Sequence, residues 1–231
     1  MHDALTNQSI ALIADPAILA ISIRDNGEPM IDIGPLGTLR IGPSPEIPNN
    51  RDYTKMRKTV YEKLLQAEKS LPEGLHFCLY ESFRSLTLQK MLFDARYAKL
   101  KKHYPDWSHT DLFRETTRLV SPVMMPNGEP NTPPHSTGGA IDVYLVDAEG
   151  NALEMGIHPK DWMDDNTGER SLTASTTISA TARKNRDIMS HALATAGFAN
   201  YPGEYWHWSY GDRYWAWQQG QSHAIYDSVS S

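Results

Sequence analysis

The sequence predicts an α+β fold in which a small, mainly antiparallel sheet is flanked by helices. Two short apolar runs read as buried strands, and several separate stretches repeat apolar residues at helical spacing. The 231 residues, 40% hydrophobic and 22% charged, have the balance of an ordinary globular protein and the length of one generous domain, residues 1–231.

Along the chain, Ile10–Ile23 is the most apolar N-terminal stretch. Asp15-Pro16 interrupts it, no Lys or Arg precedes it, and it is too short to span a bilayer. A cytoplasmic location without a membrane partner is expected. Residues 17–33 alternate loosely about Asp25-Asn26-Gly27, which predicts a hairpin whose second arm, at Pro29, forms a sheet edge. The proline-rich chain from Gly34 to Asn50 reads as irregular. Tyr53, Met56, Val60, Leu64 and Ala67 predict a helix closed by Pro72 and Gly74.

Leu75–Tyr80 reads as a buried strand, and residues 86–103 and 109–119 as helices broken at Pro105. Gly139–Val146 reads as a strand with Ile141, Val143 and Leu145 on one face and Ala140, Asp142 and Tyr144 on the other. The polar stretch 147–180 is long enough to suggest a functional loop. A helix over 181–196 ends at Gly197, and Glu204–Tyr210 reads as a last, aromatic strand.

Charge and cysteine content exclude several function classes. Lys+Arg number 22 against 28 Asp+Glu, a net charge of −6, so no general nucleic-acid or anionic-membrane binder is expected. A single cysteine, Cys78, rules out a disulfide framework or a multi-cysteine metal site.

Three segments carry polar groups where packing alone would not place them. In the first, His135-Ser-Thr-Gly-Gly-Ala-Ile-Asp142, an Asp inside an apolar strand is costly unless it is paired or binds a cation. In the second, Glu204-Tyr-Trp-His207, Pro202-Gly203 lets Glu204 belong to the incoming turn while His207 projects from the strand. In the third, Arg84 follows the buried strand in Tyr80-Glu-Ser-Phe-Arg84-Ser. Read singly, each has a bland alternative: an Asp on backbone groups beside a structural His, a surface Glu on a core strand, an Arg in a surface ion pair. Together they make the inventory of a mononuclear zinc site with a carboxylate base and a cationic stabiliser. No Gly-x-Ser-x-Gly elbow supports a serine hydrolase.

These motifs, in this order and separation, resemble the zinc D-alanyl-D-alanine dipeptidases, the family that includes the vancomycin-resistance dipeptidase, over about residues 17–210. The resemblance implies one zinc ion per chain held by His135, Asp142 and His207, with Glu204 as general base and Arg84 stabilising the transition state. It implies hydrolysis of a small dipeptide, D-Ala-D-Ala foremost, by a zinc-activated water. The family's substrate-anchoring Ser, two residues before the first zinc His, is Pro133 here, and its amine-binding Asp falls near Asp161. Asp161 and Ser136 are therefore the substrate-binding candidates. The alternatives are a zinc D,D-carboxypeptidase or endopeptidase on peptidoglycan peptides and, in a different class, a non-catalytic zinc-binding interaction domain. Glu204 argues against the last, since a closed structural zinc site has no use for a base.

Overall fold

The computed structural model describes residues 10–229, so the outermost ends of the domain expected over 1–231 lie outside the described residues. The first third holds helix α1 (Pro16–Leu19), strands β1 (Ser22–Ile23), β2 (Met30–Asp32), β3 (Arg40–Ile41) and β4 (Lys55–Arg57), and helix α2 (Lys58–Glu68). The middle holds β5 (His76–Glu81), α3 (Leu86–His103), α4 (His109–Thr117) and β6 (Ala140–Val146). The last part holds α5 (Ala180–Thr195), β7 (Ala199–Asn200), β8 (His207–Ser209), α6 (Arg213–Gln218) and β9 (His223–Ala224).

The main sheet runs β3-β5-β6-β8-β7, parallel between β3 and β5 and antiparallel elsewhere. All seven residues of β6 are buried. Ile141, Val143 and Leu145 join Phe77 and Leu79 on one face and pack with Leu64 of α2 and Met189 and Leu193 of α5. Burying each such side chain stabilises the fold by about 1.5–3 kcal/mol. Tyr80, Tyr144 and Val146 cluster with Cys78 on the other face. Burial pushes the Cys78 thiol up, away from the reactive thiolate.

Helices α3, α4 and α5 start where serine hydroxyls cap them. Ser85, Ser108 and Ser179 accept from the backbone N–H of Leu88, Asp111 and Ala182. The 147–180 stretch is held down by the buried Arg186 of α5, which donates to the carbonyls of Met155, Arg170 and Leu172 and lies 3.9 Å over the Tyr205 ring.

Four sequence expectations are corrected. The Asp25-Asn26-Gly27 turn forms, with Gly27 at φ +72°, but no hairpin does. β1 runs parallel to β9, and β2 runs antiparallel to β4. Asp25 accepts from the Arg57 guanidinium and the Asp227 N–H, which draws the turn onto two distant segments. The helix expected from Tyr53 begins at Lys58, because Tyr53 lies in a 3-10 turn and Met56 in β4. The aromatic strand shortens to His207–Ser209. Residues beyond Tyr210, read as unstructured, form α6 and β9. No helix among the described residues is long and apolar enough to cross a membrane.

Candidate active site

Sheet register places the first two chemistry-bearing residues side by side. Asp142 of β6 is directly opposite His207 of β8, so both side chains leave the same face. His135 arrives from a 3-10 turn, Pro134–Thr137, that leads into β6. The two glycines between are sterically required. Gly138 sits at φ +71°, and a Cβ on Gly139 would lie 2.4 Å from the Tyr210 carbonyl oxygen.

His135 Nε2, Asp142 Oδ1 and His207 Nδ1 converge at 3.1–3.3 Å from one another. All three residues are buried. The opposite nitrogens have partners of their own. His135 Nδ1 donates to the Ser82 carbonyl at 2.7 Å, and His207 Nε2 stands 3.3 Å from Ser209 Oγ. With the proton of each ring on its outer nitrogen, both rings aim a lone pair at the same point as the Asp142 carboxylate, an arrangement that calls for a cation among the three. Tetrahedral zinc, with bonds of about 2.0–2.2 Å to N and O, sets its ligands roughly 3.3 Å apart, so the donor set fits such an ion. The charge pattern agrees: burial pushes the Asp142 carboxyl up, but the two histidines outweigh it and hold it well below the usual carboxylate range. Burial and His135 push the His207 imidazole down, towards the neutral, ligating form.

Glu204 lies in the turn before β8, its Oε2 3.9 Å from His207 Nδ1. Burial first, and then the Asp142 charge, push its carboxyl well above the usual range against the pull of Arg84 and the Trp206 indole. Arg84 lines the same narrow cavity, about 30 Å³, as His135, Asp142, Glu204 and His207. Ile13, Leu119, Trp162 and Tyr201 give it apolar walls.

Two residues hold Arg84, and the sequence reading missed both. Glu81 pairs with one terminal nitrogen of its guanidinium, and Gln89 Oε1 accepts from the other at 3.0 Å. Burial opposes the Arg84 charge, but Glu81 more than compensates and keeps it firmly protonated. A bulge at Tyr80 makes this possible. Leu79 pairs with Val143 but Glu81 with Asp142, so one extra residue moves Glu81 from the face of Leu79 to that of Asp142. A Glu ending the apolar run LHFCLY was the available signal, since its burial demands a partner. Glu46 was also unanticipated: burial and Glu81 push its carboxyl up, with Arg84 and the Trp162 side chain opposing.

The two substrate-binding candidates do not join the cavity. Ser136 is fully buried and donates its hydroxyl to the Arg84 carbonyl, so it holds a turn in place. Asp161 lies in the 3-10 turn Pro159–Asp164, whose Pro159 and Trp162 do line the cavity. Asp161 itself faces a separate open depression with His158 and Arg170.

The chain is 27% identical to a D-alanyl-D-alanine dipeptidase of Synechocystis sp. over 240 residues, 92% of this chain and 94% of that one. It is 34% identical to a D-alanyl-D-alanine dipeptidase of Escherichia coli over 134 residues, 58% of this chain and 54% of that one. A solved structure described as VanYB in complex with D-Alanine-D-Alanine superposes with a TM-score of 0.45 at 15% identity, over 78% of this chain and 85% of that one. A family model described as D-ala-D-ala dipeptidase matches residues 53–226, a span that contains His135, Asp142, Glu204 and His207, and the chain belongs to that family.

Proposed function

We propose that this protein is a zinc-dependent dipeptidase that hydrolyses D-alanyl-D-alanine, with one zinc ion per chain held by His135 Nε2, Asp142 Oδ1 and His207 Nδ1. The observation that carries this reading is the convergence of those three buried donors at 3.1–3.3 Å beside a buried carboxylate that is not one of them. When bound in such a set, zinc supplies Lewis acidity towards a carbonyl oxygen and makes a water acidic near neutral pH.

The remaining steps belong to side chains. Glu204 takes a proton from the water as its oxygen attacks the scissile carbonyl carbon. As the C–N bond breaks, the same carboxyl returns the proton to the departing amine nitrogen. Burial raises the Glu204 pKa, which makes its carboxylate a stronger proton acceptor. Arg84 keeps a fixed positive charge against the oxyanion that develops on the carbonyl oxygen, and Glu81 and Gln89 prevent it from turning away. The apolar walls exclude bulk water, which strengthens both electrostatic effects.

The cavity is narrow and walled by apolar side chains, which suits a short substrate. The same reading takes residues 1–231 as one domain acting in the cytoplasm on a free dipeptide.

The test is release of D-alanine from D-Ala-D-Ala by the zinc-loaded protein, with N-acetyl-D-Ala-D-Ala in parallel. The expected result is turnover of the free dipeptide and much slower turnover of the acetylated one. Equal cleavage of both would replace the dipeptidase reading with a carboxypeptidase, and no release from either would overturn peptide hydrolysis.

A further inference from the structure

We infer that Ile13 is a specificity-determining residue, the part of the cavity wall that limits how large a substrate side chain the site accepts. The inference deepens the dipeptidase reading and rests on it. Ile13 lines the same cavity as Arg84, Asp142, Glu204 and His207, and the next lining residue along the chain is Tyr80. It therefore reaches the site from the segment before α1, whereas the metal donors come from the main sheet and the turn leading into β6.

That segment holds its backbone without help from the Ile13 side chain. The chain turns between Leu12 and Asp15, where Asp15 Oδ2 accepts from the Leu12 N–H at 2.8 Å and the Asp15 N–H donates to the Leu12 carbonyl at 2.9 Å. Leu12 and Ala14 are buried on either side, and Leu12 clusters with Ile18, Tyr201 and Tyr214. Ile13, between them, is half-buried. Tyr201 joins this anchor to the site, since it also lines the cavity and its hydroxyl donates to the Arg118 carbonyl at 2.7 Å. Branching at Cβ makes the Ile13 side chain stiff, so it presents a wall of fixed shape. The walls at Val120, Trp162 and Trp206 differ, because these residues are buried in the main hydrophobic core and shrinking any of them would leave a destabilising void. Ile13 stands outside that core, so its size sets the room in the cavity at little cost to the fold. In an apolar pocket a single methylene changes discrimination by roughly 10–200-fold.

Ile13→Ala is tested on D-Ala-D-Ala, D-Ala-D-Leu and D-Leu-D-Ala, because leucine exceeds alanine by as many carbons as the substitution removes. The value of kcat/KM is measured for each with the zinc-loaded protein, alongside zinc content and unfolding temperature. The expected result is that at least one leucine dipeptide gains roughly tenfold or more relative to D-Ala-D-Ala, with zinc content unchanged. Ile13→Phe narrows the same wall and is expected to raise KM for D-Ala-D-Ala while retaining zinc. Parent-like ratios in Ile13→Ala, or a parent-like KM in Ile13→Phe, would overturn the inference and leave Ile13 as ordinary packing. A loss of stability would lower all three rates together and leave the ratios unmoved. A parent protein that cleaves none of the three dipeptides would instead overturn the dipeptidase reading itself.

Discussion

At Glu204, burial and the nearby Asp142 charge favour a protonated carboxyl, and Arg84, the Trp206 indole and Arg96 pull the other way. In the proposed mechanism Glu204 carries the proton and is not one of the residues that hold the metal. Glu204→Ala is therefore expected to keep the fold and the zinc and to lose hydrolysis by roughly 10²–10⁴-fold. Steady-state kinetics on D-Ala-D-Ala check this, and near-normal turnover would reduce Glu204 to an ordinary buried residue. His135, Asp142, Glu204 and His207 were legible because each interrupts an apolar or glycine-rich string at a cost that demands an explanation. Ser136 and Asp161 stand outside the cavity those residues line. Where a hydroxyl points depends on a carbonyl far along the chain, here that of Arg84, and no local pattern encodes it.

Elements held by local chemistry were legible and those held by distant partners were not. Helices α3, α4 and α5 follow from apolar spacing and serine caps that are complete within each segment. The hairpin failed because its arms find partners elsewhere, β1 with β9 and β2 with β4. Two carboxylates fasten this arrangement. Burial opposes ionisation of Asp25, but the Asp227 and Gly27 N–H groups and Arg57 outweigh it. Burial likewise opposes ionisation of Glu28, and the Thr59 N–H and Tyr226 hydroxyl outweigh it. Both folded pKa values thus lie below the ordinary 3.8 and 4.5. A depressed carboxylate contributes stability above its unfolded pKa and loses it as pH falls through its folded one. Hydrogen-exchange protection of the Arg24 and Asn26 amides, which bond to Ala224 and Ile225, should hold above pH 4.5 and collapse below pH 3.8. Unchanged protection well below 3.8 would show that these carboxylates do not hold β1 and β9 together.

Across the whole molecule, the α+β class was readable from composition and periodicity, but not which strands pair. The parallel pairs β1–β9 and β3–β5 join segments with no turn between them, so no sequence punctuation announces them. The site depends on this long-range assembly. β6 supplies Asp142, β8 supplies His207, the turn before β6 supplies His135, and the bulge in β5 turns Glu81 towards Arg84. The proposed centre, drawn from separate segments, has no spare donor, so each of the three proposed ligands is expected to be required. Elemental analysis of zinc in the purified parent and in His207→Ala tests this most directly. The parent should carry about one zinc per chain and the variant almost none, whereas full zinc retention in His207→Ala would contradict the three-ligand centre.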